Sequence, residues 1–187
     1  MDLSRHALVV VDAQQGFDQP WWGRRNNPGC DDNIAALDRE WARTGRPLVH
    51  VRHDSRNPDS PLHPDNAGNG LKPYLSKDPD VLVTKLVNSA FHGTPNLHQW
   101  LQGQDIVGIV VCGITTNHCC ETTARLAGNL GYDVLFALDA THTFDRTGPD
   151  GTTLTADQLA LATAVNLHHE FATVVSTAQL LQRPPGR

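Results

Sequence analysis

Six short, continuous apolar runs constrain the fold of this chain more than any other feature. They contain few polar interruptions, which indicates strands of a sheet that is covered on both faces. The runs span residues 7–11, 47–51, 81–84, 106–111, 134–138 and 173–175. Segments with helical spacing lie among them: one capped by Asp31 or Asp32 and running to about Thr44, then residues 96–102, 119–130 and 155–170. This alternation predicts an α/β domain with a mainly parallel, doubly wound sheet, and an α+β fold is the alternative.

Length and charge narrow the class of protein. The 187 residues fit one domain that spans residues 1–187. Residues 18–29 and 54–80 are irregular and rich in proline, and the longer segment is either a lid or an oligomer contact. The net charge of −5 without a basic stripe disfavours nucleic acids and anionic membranes, so a small molecule is the expected partner. The apolar runs are too short to span a membrane, and the first residues lack a secretion signal, which predicts a cytoplasmic protein.

Four cysteines remain to be explained: Cys30, Cys112, Cys119 and Cys120. A chain of this size without a secretion signal does not need disulfides, and no C-x-x-C pair indicates a zinc or thioredoxin site. The ten histidines form no chelating pair at helical or strand spacing, and no glycine-rich phosphate loop is present. The sequence therefore predicts no metal and no cofactor. Cys119 is the one cysteine in a position suited to chemistry, and the other three are interpreted as structural.

Polar residues follow three of the predicted strands at the edge where parallel sheets bind ligands. Asp12 follows the first strand, Lys85 follows the third, and Cys119 follows the fourth after a Gly-Ile-Thr-Thr turn. A cysteine in the first turn of a helix and near a lysine is expected to favour its thiolate. Asp12 can then accept the thiol proton and later donate it to a leaving amine. Taken singly, the three residues can also be a buried small side chain, a turn residue and a solvated charge.

Three motifs and their order resemble the isochorismatase-like cysteine hydrolases. Residues 7–17 (ALVVVDAQQGF), 84–97 (TKLVNSAFHGTPNL) and 113–132 (GITTNHCCETTARLAGNLGY) carry the resemblance, with LDAT at 138–141. The resemblance implies a three-layer α/β/α fold, a triad of Asp12, Lys85 and Cys119, and a homo-oligomer, either a dimer or a tetramer. It also implies a cis peptide bond between Ile114 and Thr115 that turns the following backbone amides, with that of Cys119, toward an oxyanion.

Departures from the family pattern bear on the substrate. Nicotinamidases of the family carry an Asp-x-His metal site after the second strand, whereas this chain has His50-Val51-Arg52-His53-Asp54-Ser55 there. This difference predicts a metal-independent enzyme and disfavours nicotinamidase activity. The presence of a cysteine favours hydrolysis of an amide, imide or ureido bond through a thioester. The alternatives are vinyl-ether hydrolysis of the isochorismatase type, a non-catalytic binding protein on the same fold, and a redox thiol protein.

Seven side chains are candidates for the wall of the substrate cleft. They are Phe17, Trp21, Trp22, Arg52, His53, His92 and His118. An aromatic pair in an irregular loop can equally pack against its own chain. Arg52 can bind a substrate carboxylate or form an ion pair with Asp54 or Asp12.

Overall fold

The computed structural model describes residues 2–182, and its centre is one sheet of six parallel strands. The strands of this sheet are β1 (His6–Val11), β2 (Leu48–His53), β3 (Val81–Lys85), β4 (Gly108–Ile114), β5 (Asp133–His142) and β8 (Thr173–Val175), and a short antiparallel hairpin contains β6 (Arg146–Thr147) and β7 (Thr153–Leu154). The strand order in the sheet is β3-β2-β1-β4-β5-β8. Helices cover both faces, so the predicted α/β fold with a doubly wound parallel sheet is confirmed.

The side chains of β1 show why its sequence is continuously apolar. Ala7, Val9 and Val11 belong to one core cluster, which they share with helices α2 (Leu97–Gly103) and α3 (Glu121–Asn129). Leu8 and Val10 belong to the opposite cluster, which they share with α1 (Cys30–Thr44) and α5 (Thr177–Leu181). Because both faces are covered, residues 7–11 of β1 are all apolar.

The start of α1 and the helix around Cys119 differ from the sequence prediction. Gly29 is the N-cap of α1 and no side chain caps the helix, so Asp31 and Asp32 lie in its first turn. The predicted helix 119–130 is two elements, a π-helical turn from Thr116 to Cys120 and then α3. The nucleophile candidate therefore lies in a wider turn that precedes the α-helix.

The other predicted ends shift by a few residues. Asn96 is the N-cap of α2, and α4 (Ala156–Leu167) ends earlier than the predicted residue 170. Strand β5 extends to His142, so Asp139 lies within the strand and does not follow it. The extension pairs Ile114 with His142 beyond an irregularity in β4 between Val111 and Gly113.

The irregular segment 54–80 is held to the domain by buried polar contacts. Its ordered helical part is one 3-10 turn, Ala67–Asn69. The Lys72 ammonium, which is buried, lies 2.6 Å from Asp18 Oδ1 and 2.9 Å from Asp31 Oδ1. These ion pairs join the segment to the other irregular stretch and to the first turn of α1.

Two surface properties bear on partners. Leu161 and Val165 on α4 are 64% and 70% exposed, one helical turn apart. Homo-oligomer formation stays a prediction.

Within residues 2–182 no helix has both the length and the apolar composition needed to cross a bilayer.

Candidate active site

The topology places the candidate residues at the reversal point of the sheet. Strands β1 and β4 are neighbours, and the chain proceeds outward from them in opposite directions, through β2 and β3 on one side and β5 on the other. Open parallel sheets bind ligands beyond the carboxyl ends of the strands at such a point. Asp12 directly follows β1, and Cys119 follows β4 after a turn of a few residues. Lys85 ends β3, two strands away, and its long side chain reaches back to the other two residues.

The structure brings Asp12, Lys85 and Cys119 into contact. Lys85 Nζ donates to Asp12 Oδ2 at 2.6 Å and to Cys119 Sγ at 3.4 Å. The side chains of the ion pair are 0% exposed, and Cys119 is 9% exposed. Asp12 adopts a left-handed backbone conformation (φ 48°) that is uncommon for a residue other than glycine. Asp12 Oδ1 has no hydrogen-bond partner among the described residues, so it is available to accept the thiol proton of Cys119.

The protonation state of Cys119 differs from the sequence expectation of a favoured thiolate. Burial raises the pKa of the Cys119 thiol, and the negative charge of Asp12 raises it further. The ammonium of Lys85 lowers this pKa but does not outweigh those two effects. Burial also opposes the charge of Lys85, yet Asp12 and Cys119 together hold its pKa above the usual value. Burial and Asp12 therefore favour the thiol form of Cys119 beside the Lys85–Asp12 ion pair, so a base that removes the thiol proton would assist a reaction.

Backbone and hydroxyl contacts shape the turn that carries Cys119. The peptide bond between Ile114 and Thr115 is cis. The Thr115 carbonyl accepts the N–H groups of His118 and Cys120, and Thr116 donates its hydroxyl to Thr141 on β5. Gly113 has a φ of 124°, and a Cβ there would lie 1.9 Å from the carbonyl oxygen of Val11, so only glycine fits. These contacts fix the turn between β4 and α3. The use of its amides as an oxyanion site stays a prediction.

Aromatic side chains form a cluster beside the turn. Phe17 lies 4.8 Å from Trp22 and 6.2 Å from Phe144 between ring centroids. Ile114 belongs to the same buried cluster, and Trp22 donates its indole N–H to the carbonyl of Gly16. Trp22 thus packs against its own chain, which is the structural alternative considered for this pair. Trp21 contacts Trp22 edge-on, and 58% of its surface is exposed.

Three other cleft candidates have neighbours outside the triad. Arg52 makes two hydrogen bonds to the carboxylate of Asp54, which is one of the ion pairs that the sequence allowed. His92 is exposed at the end of the 3-10 turn Ala90–His92. Burial lowers the pKa of His118, and the charged side chains that act on it are Arg146 and Glu121. Substrate contact by these residues stays a prediction.

His53 is the cleft candidate that the structure places against the triad. Its Nδ1 lies 3.4 Å from Lys85 Nζ, and the side chain is half-buried. Burial and the neighbouring ammonium lower the pKa of His53, so the imidazole is neutral near pH 7. The buried residues Gln14 and Asn69 bind the backbone of His53, and the sequence analysis singled out neither of them for this role.

Asn88 is a further residue that the sequence analysis did not select. Its Oδ1 lies 3.8 Å from Cys119 Sγ, and the side chain is exposed. The sequence feature that could have identified Asn88 is its place three residues after Lys85, in the segment that resembles the family. An exposed carboxamide next to the thiol can hydrogen-bond an incoming substrate.

Metal binding and disulfide formation can also be assessed for the residues that the structure describes. Across residues 2–182, no group of three or more His, Cys, Asp or Glu side chains is placed to hold a metal ion. Cys30, Cys112, Cys119 and Cys120 are free thiols. Metal independence stays a prediction, to be tested in solution.

Comparisons with known proteins assign the family. The isochorismatase domain model matches residues 6–179. The isochorismatase family protein YrdC of Bacillus subtilis is 38% identical over 178 residues, which are 95% of each chain. The crystal structure of an isochorismatase-family protein from Chromobacterium violaceum superimposes with a TM-score of 0.91 at 36% identity, covering 97% of this chain and 94% of that one. A cysteine hydrolase from Pseudomonas syringae pv. phaseolicola gives a TM-score of 0.85 at 25% identity, with 96% and 92% covered.

Two more distant relatives have names that state an activity. Nicotinamidase 3 of Arabidopsis thaliana is 38% identical over 102 residues, which are 54% of this chain and 46% of the relative. Streptothricin hydrolase of Streptomyces noursei is 30% identical over 148 residues, which are 74% and 55% of the two chains. The family resemblance of the three motifs is thus confirmed over nearly the whole described chain. This chain belongs to the isochorismatase family of hydrolases.

Proposed function

We propose that this chain is a cysteine-dependent amidohydrolase that cleaves a non-peptide amide, imide or ureido C–N bond in a small molecule. The observation that carries the proposal is the contact of one buried ammonium with both a carboxylate and a thiol. A nucleophile, a base and a fixed positive charge are the groups that acyl transfer through a thioester requires. The activities named for the nicotinamidase and the streptothricin hydrolase support hydrolysis of an amide-type bond.

The proposed mechanism follows from which side chains can accept and return a proton. Asp12 Oδ1 removes the proton of the Cys119 thiol as Sγ attacks the substrate carbonyl carbon. The tetrahedral intermediate collapses when Asp12 returns that proton to the leaving nitrogen, so an amine or ammonia departs and a thioester remains. Asp12 then takes a proton from water, whose oxygen attacks the thioester, and Cys119 leaves as a thiol once the proton is returned. Lys85 stays charged throughout and holds both partners.

The surroundings of the thiol favour a small substrate with an apolar part. The Phe17, Trp22 and Phe144 cluster packs on Ile114, next to the turn that carries Cys119. Phe17 and Phe144 are buried, so the half-buried Trp22 is the ring of the cluster that an apolar group of a substrate can contact while its carbonyl group faces the thiol. Asn88 then provides a polar contact at the open side of the site.

A substrate screen tests the proposed function. Small amides, imides, ureas and lactams are incubated with the protein, and intact-mass spectrometry follows an acyl adduct on Cys119 together with product release. We expect at least one class to give an adduct whose mass equals the substrate minus its leaving amine, or the whole substrate for a lactam or cyclic imide, whose leaving nitrogen stays attached. Hydrolysis of a vinyl ether without any adduct would support the isochorismatase-type alternative, and absence of turnover with every class would support a binding protein.

Chelation tests the proposed independence from metal ions. We expect turnover of the substrate found in the screen to be unchanged after prolonged incubation with EDTA and removal of the chelator, because the proposed proton transfers use only Asp12 and Cys119. A parallel sample of a zinc hydrolase that loses activity under the same treatment shows that chelation is effective. Loss of turnover that added Zn²⁺ restores would contradict metal independence.

A further inference from the structure

We propose that His53 is a positioning residue that fixes the Lys85 ammonium between Asp12 and Cys119. The inference rests on the proposed roles of Cys119 and Lys85 and assigns His53 a task other than lining the substrate cleft. Three structural features support it: the hydrogen-bond count of the ammonium, the tautomer of the imidazole, and the contacts that hold the backbone of His53.

The hydrogen-bond count of Lys85 leaves one place for His53. A protonated lysine has three N–H donors and no acceptor. Asp12 Oδ2 at 2.6 Å and Cys119 Sγ at 3.4 Å take two of them, and His53 Nδ1 at 3.4 Å takes the third. An ammonium that is 0% exposed needs partners for all its donors, because an unpaired buried donor is costly. With these three acceptors, every donor of the buried Lys85 ammonium has a partner.

The tautomer of His53 follows from this contact. Because Lys85 can only donate, Nδ1 accepts and carries no hydrogen, so the neutral ring carries its hydrogen on Nε2. The contact of Nδ1 with Lys85 Nζ is the contact of the ring that bears on the triad. The charged groups that act on the ring are Lys85, Asp12 and Asp54.

The backbone of His53 is held from two distant parts of the chain. Gln14 accepts the backbone N–H of His53 at 2.9 Å and donates to its carbonyl at 3.0 Å. Asn69, in the irregular segment 54–80, donates to the same carbonyl at 3.2 Å and to the Leu62 carbonyl at 2.9 Å. Both carboxamides are buried. Segment 54–80 thus contributes to the site by holding His53, whatever further role it has as a lid or an oligomer contact.

The alkylation of Cys119 by two probes of similar size and different charge tests the proposal. Iodoacetate is an anion and iodoacetamide is neutral, so the ratio of their rates at Cys119 reports the positive charge near Sγ, while changes in access largely cancel. We expect His53→Ala to lower the iodoacetate-to-iodoacetamide ratio by about 3- to 10-fold, because Lys85 loses its third partner and moves away. The rates are measured by mass spectrometry of the Cys119 peptide, with Lys85→Met as the reference for full loss of the charge.

Two conservative variants separate positioning from other roles. His53→Asn keeps an acceptor near the place of Nδ1 and is expected to retain the wild-type ratio within about twofold. His53→Gln extends its amide toward the place of Nε2 and is expected to behave like His53→Ala. Equal changes of both rates in His53→Ala would show that the ring only lines the cleft, and a lowered ratio in His53→Asn would show that acceptance at Nδ1 is not the reason. Either result overturns the proposal.

A failure of the His53 proposal can be distinguished from a failure of the proposed function. The alkylation ratio requires no substrate and no turnover, so it can be read even if no amide is hydrolysed. Burial and Asp12 favour the thiol form of Cys119, so if the wild-type protein reacts too slowly with both probes, the position of Lys85 is read from crystal structures instead. The nucleophile assignment is then judged by the acyl adduct in the substrate screen. We expect Lys85 Nζ to leave hydrogen-bonding distance of Cys119 Sγ in His53→Ala and to keep it in His53→Asn. An unmoved Lys85 in both variants overturns the inference.

Discussion

Replacement of Cys119 by alanine is expected to lower kcat/KM for the substrate found in the screen by about 10⁴-fold or more and to abolish the covalent adduct. The thiol sulfur is the only protein atom that forms a bond to the acyl group in the proposed mechanism, so no neighbouring side chain replaces it. The variant is measured by initial rates and by intact mass after mixing with substrate. The fold should be retained, because removing a single Sγ atom leaves only a small cavity.

The neighbouring cysteine provides a matched control for this variant. Cys120 is fully buried, and burial raises the pKa of its thiol. It packs in the core cluster between the sheet and α3, so Cys120→Ala should lower the free energy of unfolding modestly and leave kcat within about threefold. A Cys119→Ala protein that still hydrolyses the amide would exclude the thioester route. An equal loss of activity in both variants would indicate that packing, and not nucleophilicity, explains the effect.

The central strands β1 and β4 could be predicted from the sequence because both are covered on both faces. Residues 7–11 alternate between two core clusters, so no polar residue interrupts the run, and the pattern is visible locally. The carboxyl half of β5 has no such pattern. Asp139 accepts hydrogen bonds from the backbone and hydroxyl of Thr177, and Thr141 is paired with Thr116, so polar residues occur in the middle of a strand. Their partners are distant in sequence, which is why the strand was predicted to end too early.

In the candidate site, too, some properties follow from local sequence and others depend on residues that are distant in sequence. The positions of Asp12, Lys85 and Cys119 follow from strand ends and from the topology of a parallel sheet, both of which the sequence indicates. The protonation state of Cys119 does not follow from them, because the burial of its thiol depends on every segment that packs around it. Local reasoning from a helix start and a lysine favoured a thiolate, whereas burial and Asp12 favour the thiol.

The contacts of His53 were beyond prediction for a related reason. Its backbone is held by Gln14, 39 residues away, and by Asn69, 16 residues away in an irregular segment. No spacing rule connects a carboxamide to a histidine across such distances. The sequence selects His53 as a cleft candidate, but it predicts neither the contact of its Nδ1 with Lys85 Nζ nor the two distant carboxamides that bind its backbone.

Replacement of Asp12 by asparagine is expected to lower kcat by about 10²- to 10⁴-fold, because a carboxamide cannot accept the thiol proton or return it to the leaving nitrogen. The change has a second effect that activity alone does not separate from the first. It leaves the Lys85 ammonium buried without its carboxylate, which is expected to lower the free energy of unfolding by about 3–5 kcal/mol. Urea unfolding measures this loss, and initial rates at saturating substrate measure kcat.

A double variant separates the loss of the base from the loss of the ion pair. Asp12→Asn with Lys85→Met removes both charges, and methionine fills much of the space of the lysine stem, so most of the lost unfolding free energy should return. Activity should not return, because the base is still missing and the positive charge beside Cys119 Sγ is also gone. If the double variant recovered both stability and kcat, the defect of Asp12→Asn would arise from the unpaired ammonium, and the assignment of Asp12 as the proton acceptor would be wrong. Recovery of stability alone would identify proton transfer as the step that requires this carboxylate.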